Sequence, residues 1–135
     1  MKTKTIIVTG KRKKAIARAV IKPGKGKVRI NKINIDSIKP EMTRLRLKEP
    51  LILAGNIASQ VDIDVNVSGG GFSGQADAAR TAISNALVAF TNDDKLREIF
   101  VDYDRNLLVS DMRQREARKP NTHGNARGKV QKSYR

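Results

Sequence analysis

The chain has 135 residues, 39% hydrophobic and 30% charged, enough for one modest core and too few for two comfortable domains. It has no cysteine and a single histidine, His123, which excludes disulfides, thiolate metal sites and any zinc site or triad built on several histidines. The net charge of +15 is unevenly spread: residues 1–30 contribute +11 with no acid, residues 31–112 contribute −3, and residues 113–135 contribute +7.

Such segregation costs self-repulsion unless a polyanion takes up the excess, so nucleic acid is the expected partner. A membrane surface is the rival polyanion, but the basic ends lack an amphipathic run of large apolar residues. No run of 18 apolar residues exists, and the N-terminal lysines lead into only Ile6 to Val8. The expectation is a soluble, intracellular protein without a membrane partner.

In chain order, residues 5–9 are β-branched throughout and read as a strand punctuated by Gly10. Residues 15–22 alternate, with Ile16 and Val20 on one face and Ala15, Ala17, Ala19 and Ile21 on the other. Pro23-Gly24-Lys25-Gly26 is a turn signal of the kind that joins two antiparallel strands. The second strand is then Lys27-Val28-Arg29-Ile30, with Val28 and Ile30 inward. Asn31-Lys32 makes another turn, and Ile33 and Ile35 continue a short apolar pattern. A helix is expected from Pro40 through about Leu53, stopped by Gly55.

Residues 61–67 form the clearest strand, with Val61, Ile63, Val65 and Val67 facing one way and Asp62, Asp64 and Asn66 the other. After Gly69-Gly70-Gly71 a helix is expected from Ser73 to Phe90. Ala76, Ala79, Ile83, Ala86, Leu87 and Phe90 share its apolar face, with Arg80, Thr81 and Asn85 off it. Thr91-Asn92-Asp93-Asp94 ends that helix and caps a shorter one with apolar contacts Leu96, Ile99 and Phe100. Leu107, Leu108 and Val109 are the last core-facing residues. The division is therefore a globular domain, 1–112, and a basic tail, 113–135. Residues 113–120 are expected to make a helical turn or two. From Asn121 onward too little apolar surface exists to offset chain entropy, so that stretch alone should be disordered.

The triple glycine invites a nucleotide-loop reading, but the Gly-Lys-Ser/Thr ending is missing. A strand-to-helix crossover with special dihedrals, its helix start open to an RNA phosphate, fits better. Asp62 and Asp64 share a strand face without a third ligand and read as a solvated face rather than a metal pair. His123 lies in the tail, where nothing preorganises it as a base. The basic ends differ in kind. Lys11-Arg12-Lys13-Lys14 is a run of four inside thirty acid-free residues. The tail interleaves Arg115, Arg118, Lys119, Arg127 and Lys129 with glycines and small polar residues, a pattern that can thread between RNA helices. Aromatic residues are only 4%, against a stacking platform, so recognition should run through phosphates and RNA shape.

Three stretches resemble small-subunit ribosomal protein 9, the universal S-nine family, in its archaeal/eukaryotic-like form. They are residues 9–18 (Thr-Gly-Lys-Arg-Lys-Lys-Ala-Ile-Ala-Arg), the glycine-rich signature over residues 69–83, and the ending over residues 127–135, whose final Lys132-Ser133-Tyr134-Arg135 is typical of that form. The resemblance implies an α/β (α+β) fold: a two-layer sandwich, mostly antiparallel, with helices on one face and a left-handed β-α-β crossover, ribosomal protein S-five domain-two-like. General handedness rules would give the opposite hand, since about 98% of such crossovers are right-handed. An extended basic C-terminal tail completes it.

It also implies a non-catalytic constituent of the small subunit, cytoplasmic with the ribosome, that binds ribosomal RNA in the subunit head beside neighbouring ribosomal proteins. The tail would reach the P-site tRNA. The basic residues Lys11, Arg12, Lys13, Lys14, Arg18, Arg113, Arg115, Arg118, Lys119, Arg127 and Lys129 would face ribosomal RNA, and by position Lys132, Ser133, Tyr134 and Arg135 would face the tRNA. Gly69, Gly70, Gly71, Gly74, Gln75 and Arg80 would be the structural signature, with no cofactor or metal. Two rivals stay open on the residues alone: a subunit of an RNA-processing ribonucleoprotein, and a small phosphotransferase using the glycine-rich turn.

Overall fold

The structure, a computed structural model, describes residues 4–124 and 126–128. Stretches of β-branched alternation become β1 (Ile6–Arg12), β2 (Ala15–Pro23), β3 (Val28–Ile30), β4 (Ile33–Asn34) and β5 (Val61–Ser68). They form one sheet in the order β1-β2-β5-β3-β4. The β1–β2, β2–β5 and β3–β4 pairs are antiparallel, and β3–β5 is parallel. With helices α1 (Glu41–Ala54), α2 (Phe72–Thr91) and α3 (Asp94–Tyr103) the chain is a mixed α+β fold.

The hairpin expected between β2 and β3 does not form, because β5 lies between them. The turn's polar groups are satisfied by the incoming strand instead. Asp62 Oδ1 accepts from the backbone N–H of Lys25 and of Lys27, both at 3.0 Å. The N–H groups of Gly24 and Gly26 donate to the carbonyls of Gln60 and Val61. α1 lies in the long connection from β3 to β5, as parallel neighbours require.

Period-two burial holds on both central strands: Ala15, Ala17, Ala19 and Ile21 of β2 are buried, as are Val61, Ile63, Val65 and Val67 of β5. The alanines leave room for α2, which lies across β1 and β2. The closest approach is at Gly10, where a Cβ would stand 2.3 Å from the Ala78 carbonyl oxygen and 2.7 Å from the Ala82 nitrogen. Gly10 therefore does not end the strand. It pairs with Ala17 inside β1, which runs on to Arg12.

The covered face of α2 is wider than helical spacing implied. Thr81 is 6% exposed and Ser84 fully buried. The chain after α3 folds back over them: Thr81 Oγ1 lies 3.3 Å from the Asn106 carbonyl, and Asn85 Nδ2 donates to the Leu108 carbonyl. Ser84 returns its hydroxyl to the Arg80 carbonyl. Leu96, Phe100 and Leu107 are buried as expected, whereas Ile99 and Val109 are exposed. Caps match their residue types: Asp93 accepts from the Lys95 N–H, and Gly55 closes α1 at φ +62°. Pro40 precedes α1 as its N-cap rather than opening its first turn.

The helical turns expected over residues 113–120 are absent. Side chains outcompete them: Asp111 Oδ1 accepts from the Arg113 backbone N–H at 2.9 Å, and Gln114 Nε2 donates to the Lys13 carbonyl.

Candidate nucleic-acid interface

One end of the sheet gathers most of the residues that the sequence patterns single out. The β1–β2 turn, Lys13-Lys14, projects there, because Ile16 pairs with Ser68 at the C-terminal end of β5. β3 runs parallel to β5, so the β3–β4 turn, Asn31-Lys32, points the same way. Gly69 (φ +78°) and Gly70 (φ +66°) turn the chain from β5 into α2. A Cβ on Gly69 would stand 2.6 Å from the Lys14 carbonyl oxygen, so the two segments touch through backbone. Gln75 Nε2 donates to the Gly69 carbonyl, and Gly74 packs over Arg12 and Ala15. Gly71 is the N-cap of α2 and supplies no side-chain cap. Gln114, through Lys13, brings the start of the tail to this rim.

Several cations beneath the sheet are paired with acids, while Lys95, Arg97 and Arg105, on and just after α3, are exposed without an ion pair among the described residues. Arg80 bridges Glu49 and Asp104, and Arg12 lies 3.3 Å from Asp111 and 3.9 Å from Asp77. Arg46 meets Asp77 at 2.9 Å, and Lys48 pairs with Asp36. The pocket beside this network, about 150 Å³, is bounded by Lys11, Arg12, Arg80 and Arg113 but also by Asp77, Asp104 and Asp111. Its charges nearly balance, which makes it a poor anion site. Arg113 forks onto Asp111 at 2.7 Å. That guanidinium, then the Arg113 N–H and the nearby Arg12, hold the Asp111 carboxyl below the usual carboxylate range.

The helix-free face and the rim hold the larger group of unpaired cations. Lys11, Lys13, Lys14, Arg18, Lys22, Lys25, Lys27 and Lys32 are exposed, and none forms an ion pair among the described residues. The acids of that face are already engaged. Asp62 caps the Lys25–Lys27 backbone, whose N–H groups, Lys27 first, lower its pKa, and Asp64 is forked by Arg29 at 2.9 Å. Neither is a merely solvated strand residue. Among the described residues no group of three or more His, Asp and Glu could hold a metal ion.

Arg12 and Arg80 thus turn inward, Arg113 is paired, and Arg127 pairs with Glu116 at 2.6 Å. Arg115, Arg118 and Lys119 are exposed. Lys129, Lys132, Ser133, Tyr134 and Arg135 lie outside the described residues. The backbone N–H of His123 donates to the Gly128 carbonyl at 2.7 Å. Lys22, Lys25, Lys27 and Lys32 share the unpaired surface, although no sequence pattern singles them out. The acid-free opening holds the signal for the first three. Lys32 needs the parallel β3–β5 pairing to be placed.

The chain matches the family model described as ribosomal protein S9/S16 over residues 10–135. It is 50% identical over 132 residues to the small ribosomal subunit protein uS9 of Methanothrix thermoacetophila, covering 98% of this chain and 99% of that protein.

Proposed function

The chain belongs to the ribosomal protein S9/S16 family, and from that membership we propose that its unpaired rim and open sheet face seat on ribosomal RNA of the subunit head while its tail reaches the P-site tRNA. The family is one of structural constituents of the small ribosomal subunit, not a class of enzymes, and its members work in the cytoplasm as part of the ribosome. Binding to ribosomal RNA and to neighbouring proteins of the subunit comes with that membership.

The observation that carries the RNA-facing assignment is the cluster of unpaired cations on the rim and the open sheet face. A surface whose acids are all engaged, with its lysines left free, offers phosphates attraction without a local competitor. The tail reading rests on charge and reach. Residues 113–135 carry +7, and at about 3.3 Å per residue they span on the order of 75 Å fully extended. The left-handed course of the connection from β3 through α1 to β5 belongs to the same reading.

Sedimentation of the tagged full chain with small subunits in moderate salt tests it. Lys11, Lys13 and Lys14 changed together to glutamine should leave subunits depleted of the protein. Full occupancy with that variant would remove the rim from the interface. Association with an RNA-processing particle in place of mature subunits would favour that role instead.

A further inference from the structure

Five described non-glycine residues have positive φ, and three are asparagines, which suit that conformation. The other two are Lys13 (φ +53°) and Lys32 (φ +68°), one in each hairpin turn of the rim. Glycine adopts this backbone freely, so each lysine holds a strained position that its side chain does not redeem within the fold. Both are exposed, and among the described residues neither ammonium has a hydrogen bond or ion pair.

The turns themselves are fixed. Lys13 is held by Gln114 on its carbonyl, and Lys14 by the glycine turn. Asn31 donates its N–H to the Val65 carbonyl at 2.8 Å and accepts from the Val67 N–H at 2.9 Å. Three strand steps of about 4.8 Å and roughly three residues of about 3.3 Å along the strands put the tips on the order of 15–20 Å apart.

We propose that Lys13 and Lys32 grip the two phosphate backbones that border one groove of an RNA duplex, astride the glycine-rich start of α2. Neighbouring phosphates of one strand lie too close together to use so wide and rigid a spacing. A single strand would also call for several stacking aromatics, and among the described residues Phe72 is the one exposed at this rim. The inference rests on the ribosomal-RNA reading and adds the duplex form and the paired turns to it.

Glycine substitution separates strain from binding. Full-length Lys13→Gly, Lys32→Gly and the double variant are compared with wild type and with Arg97→Gln, an exposed charge on α3. Each is titrated over a salt series with a transcript of the small-subunit head RNA, a plain RNA duplex and a single-stranded RNA. Each glycine should leave the thermal midpoint unchanged or raised, weaken head-RNA and duplex binding several-fold, and lower the salt slope by about one. The Arg97→Gln variant and single-strand binding should change much less, and Lys32→Arg should restore binding. Wild-type affinity and slope in the double variant would overturn the clamp, as would equal losses on single strands or a lowered thermal midpoint. Failure of the wild-type chain to bind the transcript would instead overturn the ribosomal-RNA reading beneath it.

Discussion

Replacing Gly10 with alanine adds one methyl group where β1 and α2 come closest. Its Cβ would stand 2.3 Å from the Ala78 oxygen, 2.7 Å from the Ala82 nitrogen and 3.2 Å from the Ala82 Cα. Non-bonded carbon contacts settle at about 3.5–4.0 Å, so strand and helix must part by roughly 1 Å. All three neighbours are backbone atoms, and no rotamer change relieves them. The separation would loosen Ala78, Ala79, Ala82, Ile83 and Ala86 along the same helix, all buried. Overpacking of this kind costs about 1–3 kcal/mol, and a backbone clash belongs at the upper end. Against it, Gly→Ala in a strand conformation stiffens the unfolded chain and stabilises by about 0.4–1 kcal/mol. The net expectation is a loss of about 2 kcal/mol. Urea unfolding followed by circular dichroism should show the midpoint falling by about 1 M with the slope unchanged. A midpoint equal to or above wild type would mean that α2 does not pack against Gly10 as described.

Arg80→Met keeps the volume but leaves the partly exposed Glu49 and Asp104 without their cation, and should lower stability by about 1 kcal/mol in thermal or urea unfolding; a rise in stability would show that the bridge does not hold the fold. Asp62 and Asp111 have folded pKa values below their unfolded ones, so their contribution is present above about pH 4 and fades only as pH falls further, through the lowered values. The amide NMR signals of Lys25, Lys27 and Arg113 should therefore hold steady from neutral pH to about 4 and move only in stronger acid; a transition centred near 4 would contradict the lowered values. Deleting residues 113–135 should shallow the salt dependence of RNA binding by several units, at about 0.7–0.9 counterion per phosphate contact, and an unchanged slope would remove the tail from the interface. Arg135→Ala should speed tRNA loss from the P site of assembled subunits, equivalent to about 1–2 kcal/mol, with Arg135→Glu worse and protein occupancy normal. Wild-type retention in both would remove the tail's end from the tRNA contact.

Residues whose role is set by local periodicity are legible in the sequence itself. β5 reads directly from Val61 to Val67, and α2 from its alanines. Asparagine and aspartate mark the break between α2 and α3. Residues whose role depends on what arrives from elsewhere in the chain are not legible in this way. The Pro23–Gly26 segment carries the same turn chemistry whether its strands pair or a third enters between them, and only Asp62 on β5 decides. Gly10 looks like punctuation until α2 is laid over it. Arg12 is chemically identical to its neighbours in a basic run, yet its inward register carries it to Asp77 and Asp111. The same strand alternation sends Lys11 outward, so the run divides between two roles at successive residues.

The position of β5 between β2 and β3 also sets an order of events during synthesis. β1 and β2 are neighbours in sequence and can zip as they emerge, but the centre of the sheet stays open until residue 68 has been made. Until then the inner row of β2 has no helix to cover it, since α2 begins only at Phe72. Long-range closure of this sort is the slow step for a small domain. Meanwhile the first thirty-five residues, without one acid, are already outside. The nascent chain is thus attractive to RNA well before it has a core, and the interval between those two moments lasts at least until α2 has been made.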